Sequence, residues 1–181
     1  MAPAPLETGL LAGVMSDHIV VGERVLLHTG FRAARNRLEM LLRAGTLLGA
    51  AEAAYGSSIT QLVATAGPAA GLTRLADVHV DDLAETPGCA HSPVRWTAIA
   101  ADGTLFTALD ADLMLVSASR QVTALALAGA YRTQPGPGGT ELALAAAREC
   151  GAIAVGRFLH QVEGALSHPA GAARAGGRSP L

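Results

Sequence analysis

Apolar and polar residues alternate along three stretches in the middle of the chain, Val94–Ala100, Thr104–Val116 and Val122–Arg132. A period of two residues is typical of a β-strand that buries one face and exposes the other. Asp102–Gly103, between the first two stretches, is among the strongest short signals for a hairpin turn. The pattern therefore predicts three long antiparallel strands that follow one another along the chain.

A long amphipathic helix is predicted after these strands, from Thr140 to Leu166. Thr140 suits the N-cap, and the charge of Glu141 in the first turn suits the helix dipole. The apolar stripe of this helix consists of Leu144, Ala147, Val155, Phe158, Leu159, Val162 and Leu166. At a rise of 1.5 Å per residue the helix is about 40 Å long. A helix of this length needs a wide apolar surface to lie on, which the sheet provides.

The chain before the three strands predicts further strands and two short helices. The predicted strands are Ile19–Leu27, Ile59–Ala66 and Leu72–Leu83. A helical period begins at Phe31, and we expect Gly45 and Gly49 to break it into two short helices or to bend a single helix. Glu85–Pro93 contains two prolines and a glycine and is predicted to be a loop.

This order of elements predicts an α+β fold, in which a curved antiparallel sheet wraps around the long C-terminal helix. The carriers of the pattern are the strand block VRWTAIAADGTLFTALDADLMLV (Val94–Val116) and the helix TELALAAARECGAIAVGRFLHQVEGAL (Thr140–Leu166). The chain resembles the START-related, pollen-allergen-like superfamily of helix-grip domains, SRPBCC, over nearly all of Asp17–Leu166. Its R-W strand opening and L-D-A-D-L run are similar to a bacterial branch of that superfamily. The resemblance implies a protein that binds lipids, sterols, polyketides or plant hormones, or a cyclase or hydroxylase subunit.

Composition fits one domain with an apolar core. The chain has 181 residues, of which 50% are hydrophobic and only 3% aromatic, so Leu, Val and Ala must build that core. Both ends are rich in Ala, Gly and Pro without periodicity. We therefore expect a mobile N-terminal tail (1–15), a helix-grip domain (16–166) and a disordered C-terminal tail (167–181). Met15 is an alternative start to Met1.

Several classes of function find no support in the sequence. The formal net charge is −2, which argues against a nucleic-acid partner. No apolar run reaches the roughly 18 residues that span a bilayer. Cys89 and Cys150 have neither disulfide-framework nor metal-ligand spacing, so we expect a cytoplasmic protein with reduced thiols and no metal. Gly136–Gly139 precedes a helix but lacks the lysine of a phosphate loop, and no cofactor is expected.

The inward faces of the sheet and the terminal helix supply the candidates for a ligand cavity. These candidates are Trp96, Leu109, Leu127, Tyr131, Ala147, Gly151, Ala154 and Phe158. Small side chains at Ala147, Gly151 and Ala154 leave space that larger ones would fill. The Tyr131 hydroxyl is placed to bond a ligand carbonyl, although a core tyrosine bonded to backbone or water fits the same position. The predicted function is binding of a small hydrophobic or amphipathic molecule.

Arg95, Asp110 and Asp112 are the polar candidates for that cavity. The two carboxylates lie two residues apart on one strand, so they share a face with Cβ atoms about 7 Å apart. Counting outward from the hairpin places Arg95 opposite Asp110. Paired carboxylates can divide acid and base roles, but an arginine–aspartate pair on the solvated face explains the same residues. The second interpretation is favoured because the companion face is much more apolar.

Two other groups have the residue types of a reactive site but lack its spacing. His79 lies between Asp77 and Asp81 on one strand, which predicts a solvated face rather than a metal site. Cys89 and His91 are close enough for a thiolate–imidazole pair but have no evident third group.

Two functions from other classes stay open beside ligand binding. A polyketide cyclase or dehydratase would use the same cavity, and it requires an ionisable group with a perturbed pKa inside. A non-enzymatic interaction module would form a homodimer through an exposed sheet or helix surface.

Overall fold

The computed structural model describes residues 17–66, 73–100, 103, 105–133 and 141–168. For residues 17–19, 62–66, 73, 100, 133, 141–144, 146 and 147 it describes the backbone only. The strands are β1 (Asp17–Leu27), β2 (Thr73–Val80), β3 (Ala84–Thr86), β4 (Cys89–Ala100), β5 (Leu105–Ser117) and β6 (Thr123–Thr133). The helices are α1 (Phe31–Arg43), α2 (Thr46–Ala66) and α3 (Glu141–Ser167). The predicted N-terminal tail, residues 169–181 of the predicted C-terminal tail and the Asp102 position of the hairpin lie outside the described residues, whereas Ser167 belongs to α3.

All six strands join one antiparallel sheet in the order β1-β6-β5-β4-β2, and β3 pairs with β4 beside β2. One face of the sheet, here called the inner face, packs against the helices, and the outer face carries the polar residues. The α+β class predicted from the sequence is confirmed. β1, β2, β6 and α3 match their predicted ranges closely.

The register of β4 with β5 is the one that the hairpin count predicts. Arg95 pairs with Asp110, and Trp96 pairs with Leu109. The register shifts by one residue between Ala98 and Ile99, towards the turn. A bulge of this kind bends a strand and increases its twist. A second irregularity lies between Leu75 and Asp77 of β2.

The helices form a layer on the inner face. α3 packs over β1 and β6 and lies beside α2, while α2 packs against β2 and α1 contacts β5. The Arg37 guanidinium on α1 donates to the backbone oxygen of Leu166 at 2.7 Å. A cation at a helix C-terminus satisfies carbonyls that have no partner within the helix. This bond fixes the end of α3 to α1.

The second helix is longer than the sequence predicted. Gly45 does end α1, because it adopts φ +68 and its N–H donates to the oxygen of Leu42. Gly49, however, lies inside α2, and the strand predicted at Ile59–Ala66 is wrong because α2 continues to Ala66. The reason is the stripe of buried residues on α2, which repeats at helical spacing. This stripe consists of Leu47, Ala51, Ala54, Tyr55 and Ser58. Packing of the stripe overrides the strand preference of the β-branched residues that follow.

The loop predicted at Glu85–Pro93 is also wrong. β3 and the start of β4 form a tight hairpin there, with Thr86 paired to Cys89 around Pro87 and Gly88. Gly88 has φ +76. Proline followed by a glycine of positive φ is the sequence signature of a type II turn.

We expect the two helical glycine positions to respond oppositely to alanine. At Gly56, inside α2, an added Cβ meets no atom within 4 Å, so Gly56→Ala should stabilise the protein by about 0.5–1 kcal/mol. At Gly45, the positive φ makes Gly45→Ala destabilising by roughly 1–2 kcal/mol. Urea unfolding of both variants measures this, and a loss of stability in Gly56→Ala would contradict the continuous helix.

Candidate functional site

Three of the predicted lining residues form one row across the inner face. Trp96 on β4 pairs with Leu109 on β5, and Leu109 pairs with Tyr131 on β6. Each side chain is exposed by 2% or less. The Trp96 ring meets the Phe158 ring of α3 edge to face, with centroids 5.6 Å apart. This geometry is favourable for aromatic pairs and connects the row to α3.

Tyr131 lies directly against the backbone of α3 at Gly151. A Cβ added at Gly151 would come within 2.0 Å of the Tyr131 Cζ atom, so the phenol ring occupies the room that a side chain there would need. Ala154 and Leu127 are also fully buried. The Ala147 side chain lies outside the described part. In this structure the Tyr131 ring fills the space that was predicted at Gly151.

A group of polar side chains surrounds the Tyr131 hydroxyl and is here called the inner polar cluster. Its members are Tyr55 and Ser58 on α2, Thr107 on β5, Tyr131 on β6 and Cys150 on α3. All are buried. Ser58 Oγ donates to the backbone oxygen of Tyr55 at 2.7 Å and lies 3.3 Å from the Cys150 Sγ atom. The cluster thus joins the sheet to both long helices.

Two buried polar atoms at this place have no hydrogen-bond partner among the described residues, Trp96 Nε1 and Thr107 Oγ1. Thr107 pairs with Ala98 on one side and Thr133 on the other, which makes it a diagonal neighbour of both Trp96 and Tyr131. Its hydroxyl lies beside the Tyr131 hydroxyl but does not meet the geometry of a hydrogen bond. An unpaired buried polar group costs about 1–3 kcal/mol.

Two ionisable members of the cluster, Tyr131 and Cys150, are held in their protonated forms. Burial raises the pKa of Tyr131 far above its usual range, an effect that the neighbouring Thr107 hydroxyl partly offsets. Burial likewise raises the pKa of the Cys150 thiol, with Ser58 acting in the opposite direction. At neutral pH both groups can therefore donate hydrogen bonds, and neither acts as a base.

Arg95, Asp110 and Asp112 lie on the outer face and do not join the cluster. Their side chains are about half exposed, at 51%, 56% and 52%. The Arg95 guanidinium reaches Asp110 Oδ1 and Asp81 Oδ2, each at 3.3 Å. Exposed ion pairs of this kind contribute at most about 1 kcal/mol. The solvated cross-strand pair is therefore the correct interpretation of these residues.

His79, from the predicted strand, and His91, from the predicted loop, are also solvent-accessible. His79 Nε2 lies 2.7 Å from Asp81 Oδ1, and His91 Nδ1 lies 3.6 Å from Asp112 Oδ1. The described neighbour of His91 is therefore the Asp112 carboxylate of the adjacent strand. Within the described residues no group of three or more His, Cys, Asp or Glu is arranged to hold a metal ion.

Sequence reasoning missed Ser58, Thr107 and Cys150. Thr107 could have been predicted from the sequence, because it lies two residues before Leu109 on the same strand and so shares the inner face. Cys150 precedes Ala154 by one helical turn and lies on the same face of α3. Ser58 could not have been predicted, because the residues after it were predicted to form a strand rather than a helix with a buried face.

Two surface hollows lie away from the inner polar cluster. One of about 580 Å³ opens on the outward side of α3 and is lined by Ile153, Gly156, Arg157, His160 and Gln161. The other, of about 100 Å³, lies where the turn between α1 and α2 meets the end of β2. No cluster residue belongs to the described lining of either hollow.

The architecture is that of an α+β protein of the helix-grip type, with an open six-stranded antiparallel sheet and a C-terminal helix packed on one face. No protein-family model matches the sequence, and no curated protein matches it. No helix in the described part of the chain is long and apolar enough to cross a membrane.

Two solved structures show a remote likeness to the chain. The Zhui aromatase/cyclase from a Streptomyces species is 12% identical, with a TM-score of 0.36 over 86% of this chain and 99% of that one. A Rhizobium leguminosarum protein from a structural-genomics programme is 10% identical, with a TM-score of 0.33 over 81% of this chain and 97% of that one. Similarity at this level transfers no function, so the site stands on its own geometry.

The contact between Tyr131 and α3 predicts opposite effects of alanine at two glycines of the same helix. Gly151→Ala should destabilise the protein by about 1–3 kcal/mol, because the new methyl group overlaps the phenol ring. Gly156→Ala is the matched control. It adds a methyl group where no atom lies within 4 Å, so the helix should gain about 0.5–1 kcal/mol. Equal shifts of the urea midpoint in the two variants would show that Tyr131 does not lie against α3.

Proposed function

We propose that this protein binds a small apolar or amphipathic molecule between the inner face of the sheet and helices α2 and α3. The observation that carries the proposal is the pair of buried atoms without a hydrogen-bond partner, Trp96 Nε1 and Thr107 Oγ1, which lie among the apolar core and the uncharged inner polar cluster. Binding sites for small molecules combine a mostly apolar lining with a few convergent polar groups. A bound molecule would supply the partner that these two atoms lack.

The side chains around the two atoms supply the driving force. Leu109, Leu127 and Phe158 offer apolar surface on both the sheet and α3. Burial of a ligand there would contribute roughly 25 cal/mol for each Å² of apolar surface removed from water. To admit a molecule at this place, the Tyr131 ring would move from its position against Gly151.

A polyketide cyclase or dehydratase, the enzymatic alternative, finds less support. Such a reaction requires a base inside the site. The carboxylates of Asp110 and Asp112 lie on the outer face. Tyr131 and Cys150, the interior groups with raised pKa, are protonated at neutral pH. Binding therefore accounts for the described interior better than catalysis does.

The chain also has an exposed apolar surface of the kind that a homodimeric interaction module would use. Val20 on the edge strand β1 is 86% exposed, and Leu26 on the same strand is 51% exposed. We further propose that the chain is a cytoplasmic member of the SRPBCC superfamily and that the predicted residues line the binding site.

Native mass spectrometry of the purified protein tests the proposal. We expect a molecule bound one to one, which is released on unfolding. Trp96 is the single tryptophan of the chain, so its emission reports on the site without labelling. Adding the released molecule back to ligand-free protein should change this emission in a saturable way.

The matched control for that titration is Asp110→Asn on the outer face, which should bind as the parent does. Trp96→Phe keeps an aromatic ring next to Phe158 but removes the indole donor, and it should bind several-fold more weakly by calorimetry. If no molecule co-purifies and a cell lipid extract leaves the emission of Trp96 unchanged, the proposal fails.

A further inference from the structure

We infer that a second copy of this chain docks on the outer face of the sheet around β6, related to the first copy by a two-fold axis that runs along β6. This inference is independent of the function proposed above, because the inner polar cluster lies on the opposite face of the sheet.

The outer face is apolar at one end of β6. Leu26 on β1 pairs with Ala124 on β6, and Ala124 pairs with Val116 on β5. Leu26 is 51% exposed and Val116 is 40% exposed. In the next row of this face, Ala126 pairs with Met114, which is half-buried. These five residues are here called the outer apolar patch. Exposed apolar side chains that adjoin one another, rather than lie singly, mark interaction sites.

Two opposite charges flank the outer apolar patch without meeting each other. Arg24 on β1 pairs with Ala126 across the ladder, and its guanidinium forms no ion pair with any described residue. Among the described residues, only His91 approaches the Asp112 carboxylate on β5, at 3.6 Å. Because β6 separates β1 from β5, the two strands are two strand spacings, or roughly 10 Å, apart.

A second copy brings the two charges together. Two sheets that pack face to face keep their strands nearly aligned. With the two-fold axis along β6, β1 of one copy lies over β5 of the other. Leu26 then faces Val116 of the second copy, and Arg24 faces Met114 of the second copy. Asp112 of the second copy lies two residues, or about 7 Å, further along that strand, within the reach of an arginine side chain.

The outer face is complementary to itself, which favours a second copy over an unrelated partner. A two-fold interface requires each apolar group to meet an apolar group, and each charge to meet its opposite, when the surface is turned onto itself. The registers of β1, β6 and β5 fulfil both conditions. A contact that spans three strands is small for a permanent dimer, so we expect reversible association in the micromolar range.

Sedimentation equilibrium of the full-length chain, from low micromolar to submillimolar concentration, tests this inference. The parent should pass from monomer to dimer as its concentration rises. Leu26→Glu should weaken the dimer by at least about tenfold, because it brings a charge against an apolar surface. The matched control is Leu48→Glu on α2, at a leucine that is 40% exposed on the helical side of the molecule, and it should leave association unchanged.

Charge reversal tests the docking geometry. Arg24→Asp and Asp112→Arg should each weaken association several-fold, and the double variant should regain most of it, since the pair is restored with its signs exchanged. Arg32→Asp, at an exposed position of α1, makes the same change of charge away from the outer face and should have no effect. Because Arg24, Asp112 and Arg32 are all exposed, this series decides the question even if Leu26→Glu fails to fold.

Three outcomes would overturn the inference. A parent that stays monomeric at every concentration would leave the outer apolar patch to another protein or to a segment outside the described residues. A dimer that tolerates Leu26→Glu as well as Leu48→Glu would place the contact on another surface. A double variant as weak as its two single variants would contradict the axis along β6. None of these outcomes bears on ligand binding in the interior.

Discussion

The packing of the Tyr131 ring against the backbone of Gly151 is the contact on which the interior depends. It brings α3 close to the sheet, because a Cβ at that position would force the Tyr131 ring to move. It also brings the Tyr131 hydroxyl among groups from α2, β5 and α3. Fold and candidate site therefore share one structural element, and a change that separates α3 from β6 affects both.

The two faces of the sheet divide the chemistry of the chain. The outer face holds the exposed charges, with Arg95 between Asp81 and Asp110, and this arrangement contributes little to stability. The inner face holds uncharged polar groups in an apolar surround, where each unsatisfied atom is costly. An unpaired donor in such a place is tolerated more readily when a ligand or water completes it, which is why Trp96 and Thr107 point to function.

The sequence predicted β1, β2, β5, β6 and the pairing of β4 with β5, because the signals for these are local. Alternation and the Asp102–Gly103 turn were sufficient to place Arg95 opposite Asp110. α2 was only partly predictable, since Ile59 and the β-branched residues near it prefer strands, whereas the buried residues earlier in α2 repeat at helical spacing. The inner polar cluster could not be assembled from sequence, because Ser58 and Cys150 are 92 residues apart. Parity alone did place Tyr131 on the inner face.

The signal of the Trp96 indole N–H in a ¹H–¹⁵N spectrum tests the central claim most directly. The chain has one tryptophan, so this signal needs no assignment by mutation. The account predicts that a bound small molecule which accepts a hydrogen bond from the indole moves the signal downfield and slows its exchange with water, because the unpaired donor gains an acceptor. A signal that keeps its position and exchange rate while the protein binds a small molecule would contradict the account.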